Sequence, residues 1–456
     1  MDSANGAGAQ FSWTPEGQVD RRAVGLAQVV RYDPMTGLPN RARLKEFLQH
    51  AIDHAHAGGG GFALVLLGLD GFRAINDRFG QETGDDLLTL AADRLRAALP
   101  EDHTVARLAG DEFAILAPIA DRHQAALCAQ NLLDRMRQPF PLERGEYHLS
   151  ASAGLTCCPE DGDSVGLLLR NGDLALAEAK ARARGQVRVF QPELSEAASA
   201  RARLENDLRG ALARGEMEVW YQPQIHLDGG RLAGVEALLR WRHPIDGLIA
   251  PSHFIPMAEQ ARLIDALGDW VLREACGLAV ALRAEGILLP RVAVNVSPMQ
   301  LQQPDFVARM AAALAAADCS APHLELEVTE STLLADPATS IANLVRLREL
   351  GIRIAIDDFG TGYSSLAMLR QLPLDCLKID RAFVSGTPGD ANASAIIRAI
   401  MAMAHALRLE VLAEGVETEE QAGFLDGAGC DTVQGDLYAR AMPVEELIPW
   451  LKARMG

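Results

Sequence analysis

The stretch Arg353-Ile354-Ala355-Ile356-Asp357-Asp358-Phe359-Gly360-Thr361-Gly362-Tyr363-Ser364-Ser365 decides how the chain is read. Its alternating apolar run, with Ile354 and Ile356 on one face, suits a β-strand. The run ends in two adjacent carboxylates and a Gly-rich turn. Asp and Gly favour turns on their own account, so a strand that simply stops is one reading. A metal site at the mouth of a sheet or barrel is the other. On this stretch alone the two stand level, and other apolar runs that end in the same way tip the balance.

Working outward, strand candidates alternate with helical segments from Val219 onward, at 235–239, 291–296, 324–328, 353–356, 376–379, 410–413 and 430–433. That alternation, sustained for about 250 residues, predicts a (β/α)8 TIM-like barrel, whose active site gathers at the carboxyl ends of its strands. Near those ends stand Glu236, Asn295, Glu327, Asp357 with Asp358, Lys378, Glu414 and Gln434. Carboxylate and amide oxygens suit hard ions such as Mg2+ or Mn2+. Glu236, Asn295 and Glu327 supply three ligands, and Asp357 can bridge to a second ion that Asp358 helps hold. Two ions roughly 4 Å apart would clamp the attacking and leaving oxygens of a phosphoester.

Lys378 lies between Leu377 and Ile379, so alternation turns it away from both. In so apolar a strand it needs an anion to stay charged. It could orient an attacking water, with Glu414 as proton acceptor. Singly, each residue has an ordinary explanation: Glu236 on a surface, Lys378 snorkelling, Asn295 closing a turn. Jointly, that explanation needs a coincidence on every one of these strands, so the site reading ranks far above it.

A chain of 456 residues predicts two or more domains. At 49% hydrophobic and 23% charged it is globular. A net charge of -18 argues against a protein that grips DNA or RNA through a basic surface. A phosphate substrate stays open, because carboxylates can hold cations that carry the anion. The 7 cysteines include no C-x-x-C pair and fit a reducing cytoplasm. With no long apolar run and no signal peptide, the expectation is a soluble, cytoplasmic protein without membrane contact.

The N-terminal half reads differently. Residues 1–29 are expected to be a flexible start and a short helix over 20–30, with no room for an input domain. Residues 62–69 form a nearly continuous apolar run and predict a buried strand. Residues 84–99 carry helical spacing, and 104–108 and 113–117 predict a hairpin tipped by Asp111 and Glu112. A strand over 147–156 and a helix over 164–182 complete an α/β domain. Ala, Arg and Glu then dominate 191–215, which predicts a helical connector.

Residues 201–456 resemble an EAL domain, the phosphodiesterase family that linearises cyclic di-GMP. The resemblance rests on Glu236-Ala237-Leu238-Leu239-Arg240-Trp241, Asn295-Val296-Ser297, Glu327-Val328-Thr329-Glu330 and Asp357-Asp358-Phe359-Gly360-Thr361-Gly362. It continues through Lys378-Ile379-Asp380, Ala413-Glu414-Gly415-Val416-Glu417 and Gln434-Gly435. It implies Glu236, Asn295, Glu327, Asp357 and Asp358 as ligands of two Mg2+ or Mn2+ ions, and Lys378 and Glu414 as servants of the nucleophilic water. It further implies Gln222 and Arg240 as contacts to the dinucleotide, with Gln434 near the metal-bound water or substrate. Glu330 would anchor the loop 359–365, which in the family also helps form a homodimer interface. Asp436 stands where a tyrosine is common, with little expected consequence.

Residues 30–190 resemble a GGDEF domain, the diguanylate cyclase family with a nucleotidyl-cyclase-like fold whose central sheet contains antiparallel strands. The motifs are Asp33-Pro34-Met35-Thr36-Gly37-Leu38-Pro39-Asn40, Asp70-Gly71-Phe72-Arg73-Ala74-Ile75-Asn76-Asp77, Gly84-Asp85 and Ala109-Gly110-Asp111-Glu112-Phe113. Asn76 and Asp85 are implied guanine contacts, Asp111 a metal carboxylate with Glu112 beside it, and Lys180 and Arg184 phosphate contacts. The first-strand metal aspartate lies eight residues before the asparagine, where this chain has Gly68. Asp70 shares its parity but lies about 7 Å further along the strand. The inhibitory R-x-x-D is replaced by Pro100-Glu101-Asp102-His103.

The expectation is therefore a cyclic di-GMP phosphodiesterase over 216–456 joined by the connector to a GGDEF domain that holds GTP as a regulator and synthesises poorly or not at all. A bifunctional cyclase and phosphodiesterase, and a catalytically silent cyclic di-GMP receptor, are the alternatives. Gly68 counts against the first and the water-activating pair against the second.

Overall fold

The computed structural model describes residues 31–119, 121–142, 145–287, 289–330, 332, 336–360 and 369–455. The expected N-terminal segment and most of the loop 359–365 lie outside the described residues. The chain divides into two compact units, Met1–Ala202 and Arg203–Gly456.

The first unit is built on a five-stranded sheet. Its central strand, Phe62–Asp70, is flanked antiparallel by Glu112–Ala117 and Ser150–Cys158. Thr104–Ala109 joins through the expected hairpin, and Val187–Val189 adds in parallel at the far edge. Period-two alternation sends Val65, Leu67 and Leu69 into one apolar cluster and Leu64 and Leu66 into another. Both faces are covered, which is why the run 62–69 reads as continuously apolar. Asn40 caps the helix Arg41–His56, and Ser164 caps Val165–Arg182, each accepting a backbone N–H in the first turn. The helix Pro192–Ala211 occupies the predicted connector.

In the second unit ten strands form one sheet. Two short ones, Gly247–Ile249 and Met442–Pro443, are appended to it. The others close into a barrel: Met217–His226, Leu232–His243, Val292–Asn295, Leu324–Thr329, Arg353–Phe359, Cys376–Ile379, Glu410–Ala413 and Thr432–Gln434. From Leu232–His243 round to Thr432–Gln434 neighbours run parallel. Met217–His226 closes the ring and is antiparallel to both strands it joins. The simple alternation of parallel strands and helices missed this stave, because Gln222, Pro223 and Gln224 interrupt its apolar pattern.

Alternation also sorts the barrel interior into layers. Ala355, Cys376 and Leu412 form a small apolar cluster of their own. Two residues further along the same strands come Asp357, Lys378 and Glu414, and two residues earlier Arg353 and Glu410. The polar layer at the carboxyl ends is the candidate site.

Candidate active site

Lys378 is the centre of that layer. It comes from a strand buried throughout, Cys376–Ile379, and is itself 1% exposed. Its Nζ lies 2.6 Å from Glu414 Oε1, 2.7 Å from Glu327 Oε1, 3.3 Å from Asp357 Oδ1 and 3.8 Å from Glu236 Oε2. Four carboxylates from four other strands or strand ends therefore surround one ammonium. Burial alone would strip the proton from Lys378, but Asp357, Glu236, Glu327 and Glu414 together hold it charged and push its pKa well up.

The carboxylates divide by their partners. Glu236 Oε1 accepts from Asn295 Nδ2 at 2.7 Å and Oε2 from Gln434 Nε2 at 2.6 Å. Burial raises the Glu236 pKa, but Lys378 and these two amides outweigh it and keep the group below its ordinary value. Glu327 has the opposite fate. Burial, then the Glu236 charge, pushes it well above the usual carboxylate range; Oε1 faces the Lys378 ammonium, and among the described residues the buried Oε2 has no hydrogen-bond partner. Glu414 is pushed up to about 8, first by burial and then by Asp357 and Glu236, against the pull of Lys378.

Asp357 and Asp358 are adjacent, so strict alternation would turn them to opposite faces of the strand. Asp358 escapes this by adopting φ 53°, the left-handed region that short acidic and amide side chains tolerate best. Its backbone N–H donates to Asp357 Oδ1 at 3.0 Å. As a result, one oxygen from each of Asp357, Asp358 and Glu414 lies within 4.8 Å of the others. Burial, then the neighbouring Asp357, raises the Asp358 pKa.

These residues fit divalent cations. Among the described residues the layer carries a surplus of carboxylate over its one ammonium, the buried Oε2 of Glu327 has no donor, and the ligand set is all oxygen. Glu236, Asn295, Glu327 and Asp357 would hold one ion. Asp357 and Asp358 would hold another, with Glu414 beside it.

Around them, Gln434 Nε2 also donates to Gln222 Oε1 at 3.1 Å, and Gln222 Nε2 donates to the Ala439 carbonyl at 3.1 Å. Gly435 is required beside Gln434: a Cβ there would lie 2.2 Å from the Val416 carbonyl oxygen. Arg240 stands four residues beyond Glu236, outside the cluster, with its guanidinium 5.8 Å from the Trp220 ring centroid. Glu330 is buried and Oε1 accepts from the Gly360 N–H at 3.5 Å, the last residue described before the loop. Asp436 is exposed and pairs with Arg440 at 3.0 Å. Sequence reasoning assigned nothing to Gln224, whose Nε2 donates to Gln434 Oε1 at 3.2 Å, or to Asp380, which hydrogen-bonds Asp358. Each lies two residues from a residue that was singled out, so parity was the available signal.

In the first unit, Asp111 sits on the hairpin turn and Glu112 opens the strand paired with Gly68. Both Asp70 oxygens are engaged: Oδ2 accepts from Ser150 at 2.7 Å and Oδ1 from Ser152 at 2.8 Å. Asn76 lies in the helix Phe72–Phe79 with a buried Oδ1 that has no hydrogen-bond partner among the described residues, while Asp85 and Arg184 are exposed. Lys180 and Glu112 line one cavity.

The chain matches the family model "EAL domain" over residues 205–441 and "Diguanylate cyclase, GGDEF domain" over 30–186. It is 43% identical over 437 residues to the cyclic di-GMP phosphodiesterase NbdA of Pseudomonas aeruginosa, covering 96% of this chain and 56% of that protein. It is 41% identical over 423 residues to the bifunctional diguanylate cyclase/cyclic di-GMP phosphodiesterase MucR of the same organism, covering 93% of this chain and 62% of that one. The chain thus spans little more than half the length of these relatives. Among solved structures it resembles the PaMucR phosphodiesterase in complex with c-di-GMP, at 45% identity and TM-score 0.52, over 54% of this chain and 99% of that one. With the fold, the clustered carboxylates and these matches in agreement, the chain belongs to the EAL family and carries a GGDEF domain ahead of its EAL domain.

Proposed function

We propose that the barrel is a phosphodiesterase that opens cyclic di-GMP to linear pGpG. The observation that carries this is the convergence of Glu236, Glu327, Asp357 and Glu414 on the single ammonium of Lys378 at the carboxyl ends of the strands. A merely structural layer would be charge-balanced; this one is built to receive cations. Two Mg2+ or Mn2+ ions, when bound, supply Lewis-acid stabilisation of the phosphoester oxygens.

The chain's own residues do the rest. Glu414, held 2.6 Å from Lys378, accepts the proton of the attacking water. The water oxygen bonds to phosphorus, the phosphorus–3′-oxygen bond breaks, and the proton leaves with the 3′-hydroxyl. Lys378 keeps Glu414 and Asp357 in place as charge shifts. Gln222 and Gln434, tied to each other and to Glu236, would bind the dinucleotide together with Arg240 at the outer rim. Glu330 would steady the loop beyond Gly360, and a homodimer is the assembly expected of this reading.

The GGDEF domain is read as a GTP-holding regulator. Gly68 provides no carboxylate, and Asp70 is committed to two serine hydroxyls. Purified protein incubated with cyclic di-GMP and Mg2+ or Mn2+, followed by chromatography for pGpG, tests the hydrolase; Glu236→Ala assigns the site. No pGpG under any metal would leave a silent receptor. Cyclic di-GMP formed from GTP would overturn the regulatory reading of the first domain.

A further inference from the structure

Gly68 leaves no open space in the first unit. A Cβ built on it would lie 2.5 Å from Lys180 Nζ and 2.8 Å from Lys180 Cε. The ammonium therefore rests against the strand where a side chain would otherwise project. Lys180 reaches there from the helix Val165–Arg182, which packs along the sheet on the Leu66 side. In register with Gly68 stand Glu112 on one neighbouring strand and Ser152 on the other. Lys180, Glu112, Arg41 and Asp173 line one cavity of about 270 Å3.

Lys180 is half-buried and, among the described residues, makes no ion pair. A half-buried ammonium that no carboxylate of its cavity pairs with can receive an anion. Asp70 does not compete for it, since both of its oxygens accept from serine hydroxyls. The residues at this end of the strand consequently do not fit a divalent cation between two carboxylates: no side chain projects from Gly68, and the Lys180 ammonium lies in that space.

We propose that Lys180 is a built-in replacement for the divalent cation of the GGDEF nucleotide pocket, so that this domain binds a nucleoside triphosphate without metal. The inference rests on the reading of the first domain as a nucleotide-holding regulator. An ammonium supplies one charge and three donors, enough to hold phosphate oxygens. It offers no second coordination position at which a 3′-hydroxyl could be activated. Binding without turnover follows from one glycine and one lysine.

The test is binding of a fluorescent GTP analogue to the full chain by anisotropy, with unlabelled GTP as competitor, in excess Mg2+ and in excess EDTA. Affinity in EDTA is expected within about threefold of that in Mg2+, a difference well under the tenfold that 1.4 kcal/mol represents. Lys180→Met is expected to weaken binding roughly tenfold in both conditions, and Lys180→Arg to restore it, which separates lost charge from lost folding. Binding that vanishes in EDTA, or that is untouched in Lys180→Met, overturns the proposal. No nucleotide binding in either condition overturns both it and the regulatory reading, while metal-independent failure of Lys180→Met alone supports it. Hydrolysis of cyclic di-GMP without nucleotide stays out of this comparison and reports on the barrel only.

Discussion

The two polar layers of the barrel are built from the same strands and solve opposite problems. At the amino-terminal end, Arg291 meets Glu410 in a two-pronged pair at 2.7 and 3.0 Å. Arg353 donates to Glu325 at 3.1 Å and to Glu410 at 2.7 Å, and Thr432 donates to Glu410 at 3.0 Å. Two cations face two anions, and Glu325 can be wholly buried because it is compensated. At the carboxyl end four carboxylates face one lysine, and among the described residues Glu327 keeps a buried Oε2 without a donor. The lower layer is balanced in charge, although Arg291 Nε and Glu325 Oε1 lie 3.7 Å apart without a hydrogen bond. The upper layer is completed by what it binds, and such sites commonly cost stability.

The largest effect that would sharpen this contrast is on turnover. Lys378→Met should lower pGpG formation by at least roughly 100-fold, since it removes the group that holds the proton acceptor in place. Retained turnover would mean that Lys378 only fills space. In the lower layer, Arg291→Ala should destabilise the barrel by about 3–5 kcal/mol, the cost of stranding a buried partner charge. Denaturant titration measures it, and hydrolysis per folded molecule should stay unchanged.

Next in size is the response to cation. Saturating Mn2+ should raise the thermal midpoint, by linkage worth about 2.7 kcal/mol at a hundredfold excess over Kd. Glu327→Gln should abolish that rise, whereas Arg291→Ala should start lower and still show it. If both variants respond alike, the two layers are not functionally distinct.

The smallest expected effect is on acid stability. Burial raises the Glu410 pKa, but hydrogen bonds and charge from Arg291, then Arg353, outweigh it and hold the folded value below ordinary. A depressed carboxylate contributes stability above its unfolded pKa of about 4.3 and loses it as pH falls through the folded value. Thermal midpoints measured downward from neutral pH should therefore fall less steeply in Glu410→Gln than in the parent.

Much of this arrangement was legible in the sequence. Short apolar runs ending in acids marked the parallel strands, and period-two parity pointed Lys378 inward towards the carboxylates now found around it. Parity also misled. It would turn Asp358 away from Asp357, and only a left-handed backbone at Asp358 brings both to one cavity. That conformation leaves no trace in an Asp-Asp pair. The strand Met217–His226 was hidden because a stave that faces a polar interior carries Gln222 and Gln224 where an apolar alternation is sought. The place of Lys180 was out of reach as well, since a glycine shows what is missing and not what moves in.

The antiparallel stave has a consequence for how the molecule is made. Met217–His226 bonds to its sequence neighbour, yet also to Thr432–Gln434, and Gln434 reaches back 212 residues to Gln222. Contacts of such separation slow folding. During synthesis the barrel cannot close until Thr432–Gln434 has emerged, so strand edges stay unpaired until then and truncated chains are expected to be prone to edge-to-edge association.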